Sequence, residues 1–226
     1  VINIDQRLKV LADLVPNDTV NLADVGTDHA YLPIYLIQTK KAQHIYATDI
    51  KEGPLLNAQT NIAKYNLQSQ IETRLGSGLL PLLDLKTLDV VIISGMGGKL
   101  ITKIMDNFQD LPLKACYIFE PNTSENQLRK WLFEHNFLIT EEKIIEEQNH
   151  FYEFIVAYLQ NDKQKYSASD ILLGPILRKE KNIVFKKKWI QEVKKLKNIK
   201  SKRQKAHQIA SINDLDQVIK TIEDNL

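Results

Sequence analysis

The chain has 226 residues, 43% of them hydrophobic and 26% charged, which suits a globular protein with a full core and room for a small appendage. No apolar run reaches membrane-spanning length, and the first residues lack the basic-then-apolar layout of a secretory signal, so a cytoplasmic enzyme or binding protein with no membrane contact is expected. The net charge of +2 conceals a division: residues 163–226 carry 16 basic against 7 acidic side chains, and residues 1–162 carry 14 against 21. An acidic body with a basic attachment points to a nucleic-acid handle, and a solvated lysine-rich helical face is the plainer alternative.

In chain order, Leu8, Leu11 and Leu14 are spaced for a helix ahead of the first strand. The runs "TVNLADVG", "HIYATDI", "QIETRL", "LDVVIIS" and "ACYIFEP" then read as five strands, each closed by glycine, an acid or proline. Helical spacing fills residues 30–39, 53–65, 98–107 and 124–135, and "LLPLL" reads as a short helix. Apolar strands alternating with helices imply an α/β fold with a parallel sheet covered on both faces. The single cysteine, Cys116, falls within the fifth run, so it is read as a core thiol with no disulfide and no CxxC metal site. No metal is expected.

Two further strands, "FLITEEKII" and "FYEFIVAYL", are separated only by "EEQNH". A parallel crossover needs a dozen or more residues, so this pair must form an antiparallel hairpin. Parallel strands ending in such a hairpin resemble the Rossmann-like sheet of S-adenosylmethionine-dependent methyltransferases. "NDKQKYSASD" reads as a polar linker, followed by two long helical stretches. In the second, Ile212, Leu215, Ile219, Ile222 and Leu226 alternate steps of three and four, a seam for which Ile183, Ile190, Val193 and Leu196 supply the partner. The expected product is an antiparallel helical hairpin that reverses at the basic "KNIKSKRQK".

Residues 22–33, "LADVGTDHAYLP", hold the most informative turn. Ligands of open α/β sheets bind where strands end, and Gly26 permits a sharp bend with close backbone approach there. A pyrophosphate would need bare amides, yet Asp28 stands in its place, and two like charges about 5 Å apart cost roughly 3 kcal/mol at an effective dielectric near 20. A nicotinamide dinucleotide is therefore disfavoured, and the ammonium and sulfonium of S-adenosylmethionine fit. Asp28 also suits a helix N-cap, and Asp24 also suits a simple strand end. Asp49 lies 23 residues after Gly26, the spacing of an acid that binds ribose hydroxyls. "GSGLLPL", with Gly76, Ser77 and Gly78, follows the third strand, and "SGMGG", with Gly95, Met96 and Gly97, follows the fourth, from which the methyltransferases that this sheet resembles present groups to the methyl acceptor. Asn122 in "EPN" either bonds a base edge or completes a turn after proline.

Together "ADVGTDHAYLP", "ATDI", "GSGLLPL", "ISGMGG", "EPN" and the basic tail resemble the bacterial tRNA adenine-22 N1-methyltransferases, the TrmK family. The resemblance spans almost the whole chain. It implies an S-adenosylmethionine-binding methyltransferase domain over 1–160, a basic coiled-coil domain for tRNA over 161–226, and N1 methylation of an adenine in the tRNA D-arm. Carried over by motif, Asp24, Gly26, Thr27, Asp28, His29, Asp49, Ile50, Gly76, Ser77, Gly78, Gly95, Met96 and Gly97 would line the cofactor site. Arg7 would hold the cofactor carboxylate or an RNA phosphate. Asp28, His29, Tyr31 and Asn122 would serve the acceptor base, with His29 a plain loop residue in the alternative. A small-molecule methyltransferase and a non-enzymatic RNA-binding module are the rival readings; a monomer is compatible with each of them.

Overall fold

The computed structural model describes residues 1–106, 115–162, 164–205 and 212–226. Seven strands form one sheet: β1 (Thr19–Val25), β2 (Ala42–Asp49), β3 (Ile71–Leu75), β4 (Val90–Gly97), β5 (Cys116–Thr123), β6 (Phe137–Glu147) and β7 (His150–Leu159), in the order β3-β2-β1-β4-β5-β7-β6. The first five pair in parallel, while β7 runs antiparallel between β5 and β6. The chain reverses order between β3 and β4, so β1 and β4 flank the switch point where such sheets bind ligands.

Helices α1 (Gln6–Leu14), α2 (Tyr31–Gln38), α3 (Glu52–Lys64), α4 (Gly98–Met105) and α5 (Glu125–Glu134) occupy the expected places, and Leu80–Leu82 is a single 3-10 turn. Position 107, the expected end of the fourth helix, lies outside the described residues. Leu22, Ile45 and Ile92 face one apolar cluster and Ala23, Val91 and Ile93 the other, so successive residues of each central strand bury opposite faces. The β6–β7 hairpin is tighter than "EEQNH" implies: only Gln148 and Asn149 join the strands, with φ of 50° and 63°. Two consecutive left-handed residues are the turn whose twist matches the strands it joins.

The second half of the expected linker is ordered. Ser167 and Asp170 make a capping box that opens α6 (Ala168–Leu173), and the Tyr166 ring stacks on Phe133. Beyond it lie α7 (Leu177–Glu180), α8 (Ile183–Lys205) and α9 (Ile212–Glu223). The α8 and α9 helices run antiparallel, since Lys200 meets Asp216 at 2.5 Å and Lys197 meets Glu223 at 2.7 Å. The reversal expected at 197–205 is instead helix through Lys205, because Lys, Arg and Gln are good helix formers and no glycine or proline interrupts them. The seam also shifts. Phe185, Trp189, Val193 and Leu196 pack against Ile219 and Ile222, whereas Ile183 and Ile190 are 85% and 45% exposed. Steps of four, four and three keep the aromatic set on one face, and Ile190 lies one residue round from Trp189 on the solvent side.

A buried ionic cluster ties these helices to the sheet edge. Arg129 donates to Glu142 at 2.8 Å and to Glu153 at 2.5 Å, and all three side chains have no exposure. Lys188 on α8 meets Glu153 and Glu125, each at 2.7 Å. The backbone N–H of Ile176 donates to Glu142 at 2.8 Å. No helix among the described residues is long and apolar enough to cross a membrane.

Candidate active site

The end of β1 delivers Asp24 into the sheet, where it is 5% exposed, and the chain then bends at Gly26 with φ of +85°. The bend is held by the Gly26 and Thr27 amides, which both donate to the Thr48 carbonyl at 2.8 Å. A Cβ on Gly26 would overlap the Met96 methyl group, the end of a flexible side chain that can swing aside, so it is the positive φ that calls for glycine here. Burial pushes the Asp24 carboxyl up to about 6. The Thr27 hydrogen bond and the Arg7 charge oppose that rise, and Asp49 adds to it. Among the described residues Asp24 has no ion pair.

Asp28 does not cap α2. That helix begins after Ala30, which adopts φ of 55° and offers no side-chain cap. The Asp28 side chain is 72% exposed and pairs with His29 Nε2 at 3.3 Å. The His29 ring stacks on Tyr31 with centroids 5.3 Å apart, and Asn61 fixes the loop by donating to the His29 carbonyl at 3.0 Å. Asp49 ends β2 and accepts from the Lys51 amide at 2.8 Å through one oxygen.

The facing wall comes from residues far apart in sequence. Glu147 accepts from the Gln6 and Arg7 amides at 3.0 and 3.2 Å, and Asp5 accepts from Leu8 at 2.8 Å, which together anchor the start of α1. Arg7 Nη1 then donates to Glu120 at 3.0 Å, and the same Glu120 oxygen accepts from Gly95 at 2.8 Å. The Arg7 guanidinium also lies 5.7 Å from the centroid of the Tyr152 ring. Burial raises the Glu120 pKa, against the lowering by Arg7 and the Gly95 amide. Part of the Arg7 charge is thus already engaged in holding the wall. Sequence reasoning missed Glu120, Glu147 and Tyr152 as wall-builders.

These walls enclose a cavity of about 610 Å³ that brings together Arg7, Asp24, Gly26, Thr27, Asp28, His29, Tyr31, Asp49, Gly95, Met96 and Asn122. A smaller, more apolar pocket of about 170 Å³ is lined by Ile50, Gly76, Ser77, Gly78, Leu100 and Ile104, and shares Gly26, Asp49 and Met96 with the first. Gly97 alone of the expected residues lines neither. It continues β4 in register with Thr123, whose hydroxyl would lie 3.2 Å from an added Cβ.

The pair of cavities matches one ligand chemistry. The smaller pocket suits a flat base, Asp49 at the shared boundary suits a ribose diol, and the acid-lined cavity suits a cation. The buried, unpaired Asp24 and the glycine cradle closed by Met96 fit S-adenosylmethionine on both counts. Fold and site define an S-adenosylmethionine-dependent methyltransferase with a Rossmann-like sheet.

Residues 22–224 match the family model for TrmK, tRNA (adenine(22)-N(1))-methyltransferase, and the chain belongs to that family. It is 35% identical, over 100% of its length and 94% of the relative's, to the tRNA (adenine(22)-N(1))-methyltransferase of Bacillus subtilis (strain 168). Among solved structures it resembles Streptococcus pneumoniae Sp1610, a putative tRNA (m1A22) methyltransferase in complex with S-adenosyl-L-methionine, with 35% identity, a TM-score of 0.89 and coverage of 99% and 100% of the two chains. It likewise resembles M. capricolum TrmK in complex with S-adenosylhomocysteine, with 32% identity, a TM-score of 0.87 and coverage of 98% and 96%.

Proposed function

We infer that this chain methylates N1 of adenine 22, in the D-arm of tRNA, and that S-adenosylmethionine is the donor. The observation that carries the placement of the reaction is the acid-lined cavity around Gly26, with the His29–Tyr31 stack at its mouth. The bound donor supplies an electrophilic methyl group on a sulfonium centre. Asp24 and Asp28 present carboxylates to its positive end, Asp49 binds the ribose hydroxyls, and the backbone of 76–78 with Ile50 and Leu100 encloses the adenine of the cofactor. Adenine N1 carries a free lone pair at neutral pH, so no residue has to remove a proton from it. Positioning dominates, and proximity with orientation contributes about 7–11 kcal/mol in well-aligned systems.

Because N1 lies on the pairing edge, the target base has to leave its pair or its stack at a cost of a few kcal/mol. Tyr31, 43% exposed and stacked on His29, offers a replacement surface, and Asn122 offers a hydrogen-bonding amide on the same cavity. The methylated ring is cationic, and Asp28 at the mouth stabilises that charge. Residues 1–160 carry the chemistry and residues 161–226 hold the tRNA body through their lysines, so affinity falls steeply with salt. One chain contains every group named, so a monomer suffices. Mass-spectrometric mapping of treated, unmodified tRNA tests the reading. A single N1-methyladenine at position 22 is expected, and methylation elsewhere or of small molecules alone contradicts it.

A further inference from the structure

We infer that Glu120 is the counter-charge that lets Arg7 line a cavity built for a cation, and that through Arg7 it sets how strongly the site prefers the sulfonium donor over its neutral thioether product. This rests on the methyltransferase assignment above. Glu120 is a positioning residue, since its side chain has no exposure and touches neither ligand.

The lining of the reaction cavity carries Asp24, Asp28 and Asp49, which favour a sulfonium, and Arg7, its only lysine or arginine among the described residues, which opposes one. The Arg7 charge is felt there, because it holds the Asp24 pKa below the level that burial alone would give. Two nearby acids are occupied elsewhere: Asp5 accepts from the Leu8 amide, and Glu147 from the Gln6 and Arg7 amides. The one ion pair of Arg7 among the described residues is with Glu120, at 3.0 Å. The Tyr152 ring, 5.7 Å away, flanks the guanidinium without adding a charge. Glu120 is itself fixed by Gly95, whose amide donates to the same oxygen at 2.8 Å from an irregular stretch of β4 where Gly95 has φ of +73°. The pair is therefore held in place while ligands exchange.

Donor and product differ by one methyl group and one positive charge at sulfur. Contacts common to both, including any bond from Arg7 to the methionine carboxylate, cancel in the ratio of their affinities. The effect of the Arg7 charge on the sulfonium does not cancel, and Glu120 offsets it.

Calorimetric titration of the full-length protein with S-adenosylmethionine and, separately, with S-adenosylhomocysteine tests this. Glu120→Gln keeps an oxygen for Arg7 and Gly95 and places its NH2 where the second carboxylate oxygen, buried, has no hydrogen-bond partner, so it removes the charge and little else. The ratio of the two dissociation constants then shifts toward the product by about five-fold relative to wild type, the scale of a unit-charge interaction across roughly 10 Å of half-aqueous cavity. Arg7→Met, which removes the cation, shifts the ratio toward the donor by a similar factor. A ratio unchanged in either variant, or moved the same way by both, overturns the inference, whatever happens to the absolute affinities or to thermal stability. Failure of wild type to bind either ligand would instead overturn the methyltransferase assignment itself, and this inference with it.

Discussion

Two buried carboxylates in this molecule, Asp24 and Glu153, are driven in opposite directions. Asp24, at the end of β1, is pushed up to about 6 by burial, with only a hydrogen bond from Thr27 and a more distant Arg7 to oppose it. Glu153, on β7, is just as deeply buried, yet Lys188 and Arg129 hold it down at about 2. Burial is common to both, and the supply of protein cations separates them. Where the chain provides the cations, the carboxylate is part of the structure. Where it withholds them, we propose, the position is kept for a cation from outside.

Breaking the structural member should have the larger effect on the fold. Glu153→Ala leaves Arg129 and Lys188 without their shared counter-charge, and urea denaturation should show a loss of about 3–5 kcal/mol. A loss within about 0.5 kcal/mol, the range of ordinary surface changes, would show that the cluster is not holding the helices to the sheet edge. The functional member should respond with the opposite sign. The folded pKa of Asp24 lies above the unfolded one, so its charge is tolerated worse in the folded state, and the penalty grows as pH rises from about 4 through 6. Asp24→Asn should therefore stabilise the donor-free protein near neutral pH by up to about 3 kcal/mol, with the gain vanishing toward pH 4. The same change should weaken donor affinity by about 1.5–3 kcal/mol, the range for a hydrogen bond to a charged group.

The pH dependence sharpens the contrast. The Glu153 contribution is complete above its unfolded pKa and is lost only as pH falls through about 2. Between pH 7 and 5 the fold should persist while the thermal stabilisation given by S-adenosylmethionine declines, because Asp24 is being protonated. A donor shift that stays constant over this window would remove Asp24 from the donor site. Asp28→Ala should be the mildest change to the fold, within about 0.5 kcal/mol, since Asp28 caps nothing and its side chain is 72% exposed. Its turnover should nonetheless fall about ten-fold or more, and an unchanged rate at saturating donor would leave it no part in the reaction.

How much of this was legible depends on how local each signal is. The parallel strands were, because runs such as "VVII" are apolar at every position, and the antiparallel hairpin was, because its connection is too short for anything else. Asp24, Gly26 and Asp49 were, because strand-end chemistry follows the chain. Glu120 and Glu147 were not: they meet Arg7 across 113 and 140 residues, and register at that distance leaves no trace in periodicity. The Arg129 cluster was hidden for the same reason: its members come from α5, β6 and β7, and Lys188 reaches Glu153 from α8. The helix through 197–205 does carry a local signal, since that stretch lacks any breaker.

Calorimetric titration of S-adenosylmethionine into the full-length protein at about pH 7.5 and about pH 5 tests the central claim most directly. A carboxyl with a pKa of about 6 is roughly one-tenth ionised at the lower pH, so the dissociation constant should rise about ten-fold there. No heat of binding at either pH, or the same constant at both, would contradict a site built around an unpaired buried carboxylate.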